Sequence, residues 1–326
     1  LSRLGVHISV TAIDYRNPHS EEITEKGVLF STVPATLARL FSLPFHLYRS
    51  AQMMKPDIII ASGDSHIGYI AMQLAHHLRA RFVFDVYDYY PVFRGNRIPG
   101  MRSMFRLAVK AADRVLCTSM ALMRRLAPLN SHMLLVENGV DNHLFASADM
   151  LNARSTLGLN PAFPLIGYFG SITPTRGPLL VEACRLLHKE IPTLQLMLAG
   201  RVSDVTIDEP WIIYQGEMAQ DALPLFINAC NVVTIPYAND PFNSMTGACK
   251  IAEYLACAKP IVVTRVSSHE EIFKDAPGSL CEPNPDDMAT AIQRQLTNPE
   301  IVSFPEHLSW AYIACTLHDE LLAISI

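Results

Sequence analysis

The stretch "CKIAEYLACAKPIVV", residues 249–263, reads as a helix running directly into a buried strand. Ile251, Tyr254 and Leu255 fall at helical spacing, Ala252, Ala256 and Ala258 permit close packing, and "PIVV" is a short apolar, β-prone run. Lys250 and Glu253 are three residues apart and therefore share a helix face, although a packed helix has little use for charge. A surface ion pair and a ligand-facing pair both fit that spacing.

The same alternation extends in both directions. Toward the N-terminus lie "VHISVTAI", a helix over 35–54, "PDIIIAS", a helix over 66–79, "RFVFDVY", a helix over 101–112, "RVLCTS", a helix over 119–127 and "MLLVENG". After the loop "LGLNPAFP" come "LIGYFGS", a helix over 178–190, "LQLMLAG", "WIIYQG", a helix over 219–229, "VVTIPY" and the opening helix–strand pair. Strands alternating with helices predict parallel α/β sheets, here two doubly wound domains over 1–155 and 164–300. A final helix over 303–326, with Trp310 and Leu317 on its apolar face, packs back toward the first domain in this reading. The opening "LSRLGVHISVTAID" reads as a helix end, a glycine stop and a strand, which implies that an earlier strand and its loop precede Leu1.

Half of the 326 residues are hydrophobic and only 17% are charged, as in a core-rich globular protein. A net charge of −5 with scattered cations offers no footprint for duplex nucleic acid. Seven cysteines with no C-x-x-C point to a reducing, cytoplasmic setting without disulfides or a zinc site. His76 and His77 lack an acidic partner at metal-ligand spacing, so no metal is expected. Residues 28–48 are the most apolar long stretch, yet Pro34, Arg39 and Pro44 interrupt it, which excludes a spanning helix. Within it Leu37, Leu40, Phe41, Pro44, Phe45 and Tyr48 lie at helical spacing, as in a helix packed on a sheet or one facing a membrane surface.

In open α/β sheets the ligand sits beyond the carboxyl ends of the strands, and between two such domains that means a cleft. At one strand end "YFGSITPTRGP" (168–178) places Gly170 and Ser171 before a polar loop, then Arg176 and a helix start at Pro178. A glycine for close approach, helix N–H groups and a forked cation suit a diphosphate, and so does a plain strand–loop–helix junction. At another, "DVYDYYP" leaves Asp85 and Asp88 beside Tyr89 and Tyr90. Asp88 is placed to orient or deprotonate a hydroxyl, or to close an Asx-turn, whereas Asp85 is expected to cap loop backbone. "SGDSH" (62–66) reads as a helix cap with His66 beside it, and Asn138-Gly139 as a tight turn.

Taken together, "GYFGSITPTRG", "LQLMLAG", "IIYQGEMAQDALPLFINACNVVTIPY", "KIAEYLACAKPIVVT", "VFDVYDYYP" and "VENGVDNHLF" resemble the group-1 glycosyltransferases. The resemblance implies the GT-B fold, a nucleotide-sugar donor held by the second domain, a glycan or lipid-linked acceptor against the first, retention of anomeric configuration and no cofactor. It also implies that Arg176 grips the diphosphate and that Glu253 binds the ribose hydroxyls. The chain departs from the family pattern at Ser171, where an arginine is common, and at Met245, where a first glutamate is common. Lys250 is the candidate replacement cation, with Thr246 and the Gly247 amide as contacts to the donor sugar or its phosphates. An epimerase of the same architecture and a non-catalytic binding protein are the competing readings. Peripheral membrane contact is expected on the acceptor side, and oligomeric state is left open.

Overall fold

The structure is a computed structural model that describes residues 1–17, 19–36 and 42–325. It divides into two compact units, one comprising Leu1–Cys117, Met123–Val136 and Ala311–Ile326, the other Thr118–Leu122 and Glu137–Trp310.

The first unit contains two sheets. Strands β1 (Ser9–Asp14), β2 (Glu22–Glu25) and β3 (Val28–Pro34) form one, in the order β1-β3-β2, with β1 parallel and β2 antiparallel to β3. Strands β4 (Ile58–Ser62), β5 (Arg81–Val86), β6 (Arg114–Cys117) and β7 (Met133–Leu135) form the other, all parallel and in chain order. Helices α1 (Leu43–Met54), α2 (Ser65–Leu78), α3 (Met101–Ala111) and α4 (Met120–Leu126) follow β3, β4, β5 and β6. The β2–β3 hairpin is an addition to the sequence reading: every residue of β2 is exposed, so "EITE" carries no apolar alternation to announce a strand. Of the helix expected over 35–54, α1 begins at Leu43, and the positions Leu37, Leu40 and Phe41 lie outside the described residues.

The second unit is a six-stranded parallel sheet in the order β10-β9-β8-β11-β12-β13. Its strands are β8 (Leu165–Phe169), β9 (Gln195–Ala199), β10 (Ile212–Tyr214), β11 (Val232–Ile235), β12 (Ile261–Thr264) and β13 (Leu280–Cys281). The accompanying helices are α5 (Met150–Thr156), α6 (Pro178–Glu190), α7 (Leu223–Ala229), α8 (Cys249–Ala256), α9 (His269–Ile272) and α10 (Pro285–Thr297). Strands β8, β11 and β12 are buried along their whole length, as expected of a parallel sheet covered by helices on both faces. The chain order reverses between β8 and β11, which makes that pair the topological switch point.

The last helix, α11 (Trp310–Ser325), places Leu317 and Leu321 against Val83 and Leu116 of the first unit. Trp310 corrects the sequence reading, because it is 52% exposed and Ile313 and Leu321 supply the buried positions instead. Asn138-Gly139 does not form a tight turn either: the segment runs extended into a bridge between Val140 and Ser309, and Gly139 has no positive φ.

Two strand ends meet tightly at Gly200, whose φ of +126° and lack of Cβ let it lie against the Gly170 carbonyl. A methyl group there would overlap that oxygen in a backbone conformation an L-residue rarely adopts. Gly200→Ala is therefore expected to destabilise the protein by at least about 2 kcal/mol in denaturant unfolding.

Candidate donor site at the switch point

The site grows from the way β8 ends. Its pairing with β11 stops at Ile166 and Gly167, while its pairing with β9 runs on to Phe169. The Gly170 amide donates to the Ala199 carbonyl at 2.7 Å, so the Phe169 N–H points to the opposite side, where β11 no longer provides an acceptor. It is satisfied by the hydroxyl of Tyr254 on α8, at 3.0 Å. Tyr254 is fully buried and its ring packs edge-on against Phe169, with centroids 6.3 Å apart. A buried amide left without an acceptor costs about 1–3 kcal/mol, so this bond holds α8 at a fixed position over the strand end.

With Tyr254 held, Lys250 falls across Gly170, where any added Cβ would overlap the Lys250 Cε. Gly170 thus contributes an absent side chain, and its N–H is committed to the sheet. Burial opposes the Lys250 ammonium, but Tyr237, Cys249, Tyr168 and Glu253 around it more than compensate, and its pKa lies above the ordinary lysine value. One turn along, Glu253 is half-buried and accepts a hydrogen bond from Gln220. Burial raises its pKa, with Lys250 and Gln220 acting in the opposite direction. The two charges therefore belong to the interior edge of the switch point, and a solvated surface pair does not describe them.

Arg176 reaches the same region from the loop after β8. Its guanidinium lies over the Tyr237 ring at 4.2 Å and the Phe242 ring at 4.9 Å, and Nε donates to Asn243 Oδ1 at 2.8 Å. Asn243 is itself buried and bonded to Asp240, Thr175 and Ala238, so the fork is held in one orientation. Tyr168 donates to the Ser171 carbonyl at 3.0 Å and fixes the turn between Gly170 and the arginine loop. Ser171 is exposed and adds no charge. Tyr168, Tyr237, Phe242, Asn243 and Gln220 escaped the sequence reading, because aromatic and amide residues at strand ends look the same as ordinary core and loop residues.

The segment entering α8 is anchored through three successive carbonyls. Ser119 Oγ donates to Met245 O, Ser267 Oγ to Thr246 O and Asn138 Nδ2 to Gly247 O, at 2.8, 2.9 and 2.8 Å. Gly247 is required here, since a Cβ would lie 2.5 Å from the Thr118 carbonyl oxygen. Thr246 and Gly247 line a cavity of about 30 Å³, on the side of α8 that carries Ala248, Ile251 and Ala252. His269 also lines it: Nδ1 donates to Thr264 O at 2.8 Å, while Nε2 is buried without a partner among the described residues. Burial, helped by the nearby Arg176 charge, drops the His269 pKa to about 4 against the opposing effect of the Thr264 bond, so the ring is neutral at physiological pH.

In the first unit, Asp88 is half-buried at the end of β5, and its carbonyl accepts the Tyr90 N–H at 3.0 Å. Asp85 takes its hydrogen bond from a side chain, Ser62 Oγ at 2.7 Å, in place of the backbone contact expected, and burial raises its pKa. Asp64 caps α2, and His66 Nε2 pairs with the Tyr15 hydroxyl at 2.8 Å.

Residues 163–298, which contain the whole switch-point cluster, match the family model described as Glycosyl transferases group 1. Residues 1–144 match that of Glycosyltransferase Family 4. Both matched models describe glycosyltransferases, and together they cover most of the chain. Among relatives, a putative teichuronic acid biosynthesis glycosyltransferase of Bacillus subtilis is 25% identical over 174 residues, 51% of this chain and 44% of that one. A D-inositol 3-phosphate glycosyltransferase of Mycolicibacterium gilvum is 26% identical over 216 residues, 60% of this chain and 47% of that one. The chain thus spans less than half the length of these curated relatives. Solved structures agree on the GT-B fold. Sucrose-phosphate synthase from Thermosynechococcus elongatus superposes with a TM-score of 0.72 at 16% identity, over 99% of this chain and 91% of that one. HepE from Anabaena, in complex with UDP-glucose, gives 0.70 at 19% identity, over 90% of this chain and 86% of that one.

The raised pKa of Glu253 carries a stability consequence. The folded protein binds this proton more tightly than the unfolded chain does, so the group's stabilising contribution is complete below the unfolded pKa and is lost as pH rises through the folded one. Glu253→Gln is accordingly expected to raise the thermal unfolding midpoint near neutral pH, with the gain shrinking near pH 4. Thermal melts of both proteins across that range provide the measurement.

Proposed function

We propose that the chain transfers a sugar from a nucleoside-diphosphate donor to an acceptor hydroxyl in the synthesis of a glycan, polysaccharide or glycolipid. The observation that carries this reading is the convergence of Lys250, Glu253 and the aromatic-clamped Arg176 on the β8–β11 switch point. Two cations beside a glycine-floored strand end match a diphosphate, and a half-buried carboxylate matches a vicinal diol. In this reading Arg176 and Lys250 stabilise the charge that develops as the bond from the anomeric carbon to the diphosphate breaks. Glu253 orients the ribose, the Ser171 amide assists the phosphates, and Thr246 and Gly247 shape the approach to the transferred sugar.

Asp88 serves the acceptor side, accepting or directing the proton of the hydroxyl whose oxygen forms the new bond. The reaction is assigned as hexosyl transfer with retention, it invokes no resident metal or cofactor, and it takes place in the cytoplasm. A lipid-linked or other membrane-associated acceptor is the preferred class. The family assignment does not favour the epimerase and the non-catalytic binding protein as alternatives.

The UDP-glucose in the Anabaena neighbour makes that compound the first probe, alongside GDP-, TDP- and ADP-sugars. A matching donor at a hundredfold excess over its dissociation constant should add about 2.7 kcal/mol of stability. Arg176→Ala and Glu253→Ala should each abolish most of that shift. If no nucleotide sugar stabilises the protein, or if both variants respond as wild type does, the donor-site assignment fails.

A further inference from the structure

The chain carries a net charge of −5, yet between Asp88 and Asp113 there is no acidic residue while Arg94, Arg97, Arg102, Arg106 and Lys110 all occur. All five are exposed, and none takes part in an ion pair among the described residues. Arg102, Arg106 and Lys110 repeat at i, i+4 and therefore form one row along the outer face of α3. The inner face is spent on packing: Phe105, Ala108 and Val109 are buried, and α3 lies against α2.

Large apolar side chains stand among these cations in water. Ile98 is 62% exposed at the tip of the segment leading into α3, and Leu107 is 51% exposed beside the basic row. The segment is also rigidly placed. Asn96, between Arg94 and Ile98, is almost fully buried, donates to Asp64 Oδ1 at 2.8 Å and bonds to Ser65 Oγ. A basic, apolar-tipped and preorganised face, with the Asp64 carboxylate beneath it bonded to Asn96 and not ion-paired with the five cations, is the composition that binds anionic lipid, because cations meet headgroups while Ile and Leu enter the acyl boundary. Duplex nucleic acid or an acidic protein would reward the cations but would leave Ile98 and Leu107 without a matching surface.

We propose that residues 94–110 form a docking surface for an anionic lipid bilayer. The contact expected from the apolar stretch 28–48 is thereby assigned to α3 and the loop before it. This surface is independent of the donor chemistry, so a protein with a disabled donor site still binds membranes.

Cosedimentation of the full chain with phosphatidylcholine vesicles, and with equal mixtures of phosphatidylcholine and phosphatidylglycerol, tests the assignment. Binding should require the anionic lipid and should fall as salt is added. The triple variant Arg102→Ala, Arg106→Ala, Lys110→Ala should lower the partition coefficient roughly a hundredfold. The double variant Ile98→Ser, Leu107→Ser keeps every charge, and it should also bind less tightly while retaining the wild-type salt dependence. Circular dichroism identifies any variant that fails to fold; the other variant then decides. Equal binding to both vesicle types, no binding to either, unaltered binding by folded variants, or preferential binding to a DNA duplex would overturn the proposal.

Discussion

Tyr254 accepts the Phe169 amide proton at the one place on β8 where the neighbouring strand has ended but the backbone is still buried. An open parallel sheet creates such a place at its switch point, because strands on either side diverge there and leave backbone groups without ladder partners. Supplying the acceptor from a helix side chain satisfies the amide and also fixes the rotation of α8. Lys250 is then directed over Gly170, and Glu253 lies one turn further along the same edge. The site depends on this coupling of a strand end to a helix.

The Glu253 carboxylate at this edge is held at some expense to the fold, whereas the surroundings of Lys250 favour its charge. Burial raises the pKa of Glu253, so its ionised form is less comfortable in the folded protein than in water. Arg176 stacks on two aromatic rings while half-buried, and Asn243 engages its Nε. In the proposed reading, a polar ligand replaces the water that this partly buried edge lacks. Structural ion pairs, such as Arg185 with Glu182 and Glu209, lie instead on exposed helix and loop surfaces, where solvent screening leaves them little energetic weight.

Much of this was legible in the sequence, for physical reasons that differ between elements. Strands such as "IVVT" and "LIGYF" are buried on both faces and appear as continuous apolar runs, and the helices between them show a clear period. Strand β2 was not legible, because an exposed edge strand of two glutamates, a threonine and a single exposed isoleucine shows no apolar alternation. Trp310 sits one heptad before Leu317 on a helix with an apolar face, yet it is exposed, and Ile313 and Leu321 supply the buried positions. The Asn138-Gly139 pair looks like a turn locally, but the Asn138 side chain is spent more than a hundred residues away on the Gly247 carbonyl. Within the site, Lys250 and Glu253 stood out as charges on a packed helix, and Arg176 as a cation in the loop before a helix start. Tyr237, Asn243 and Tyr254 did not, since their roles depend on which strand end each one meets.

The most direct test of the account is a double-mutant cycle on donor affinity, combining Gly170→Ala with Lys250→Ala and using the nucleotide sugar that stabilises the wild-type protein. If the hollow over Gly170 exists to seat Lys250 beside the diphosphate, each single change weakens binding by calorimetry, and the double variant is no worse than the Lys250 variant alone. Strictly additive losses, or a Gly170→Ala variant that binds as tightly as wild type, would contradict the claim that the lysine acts from that seat.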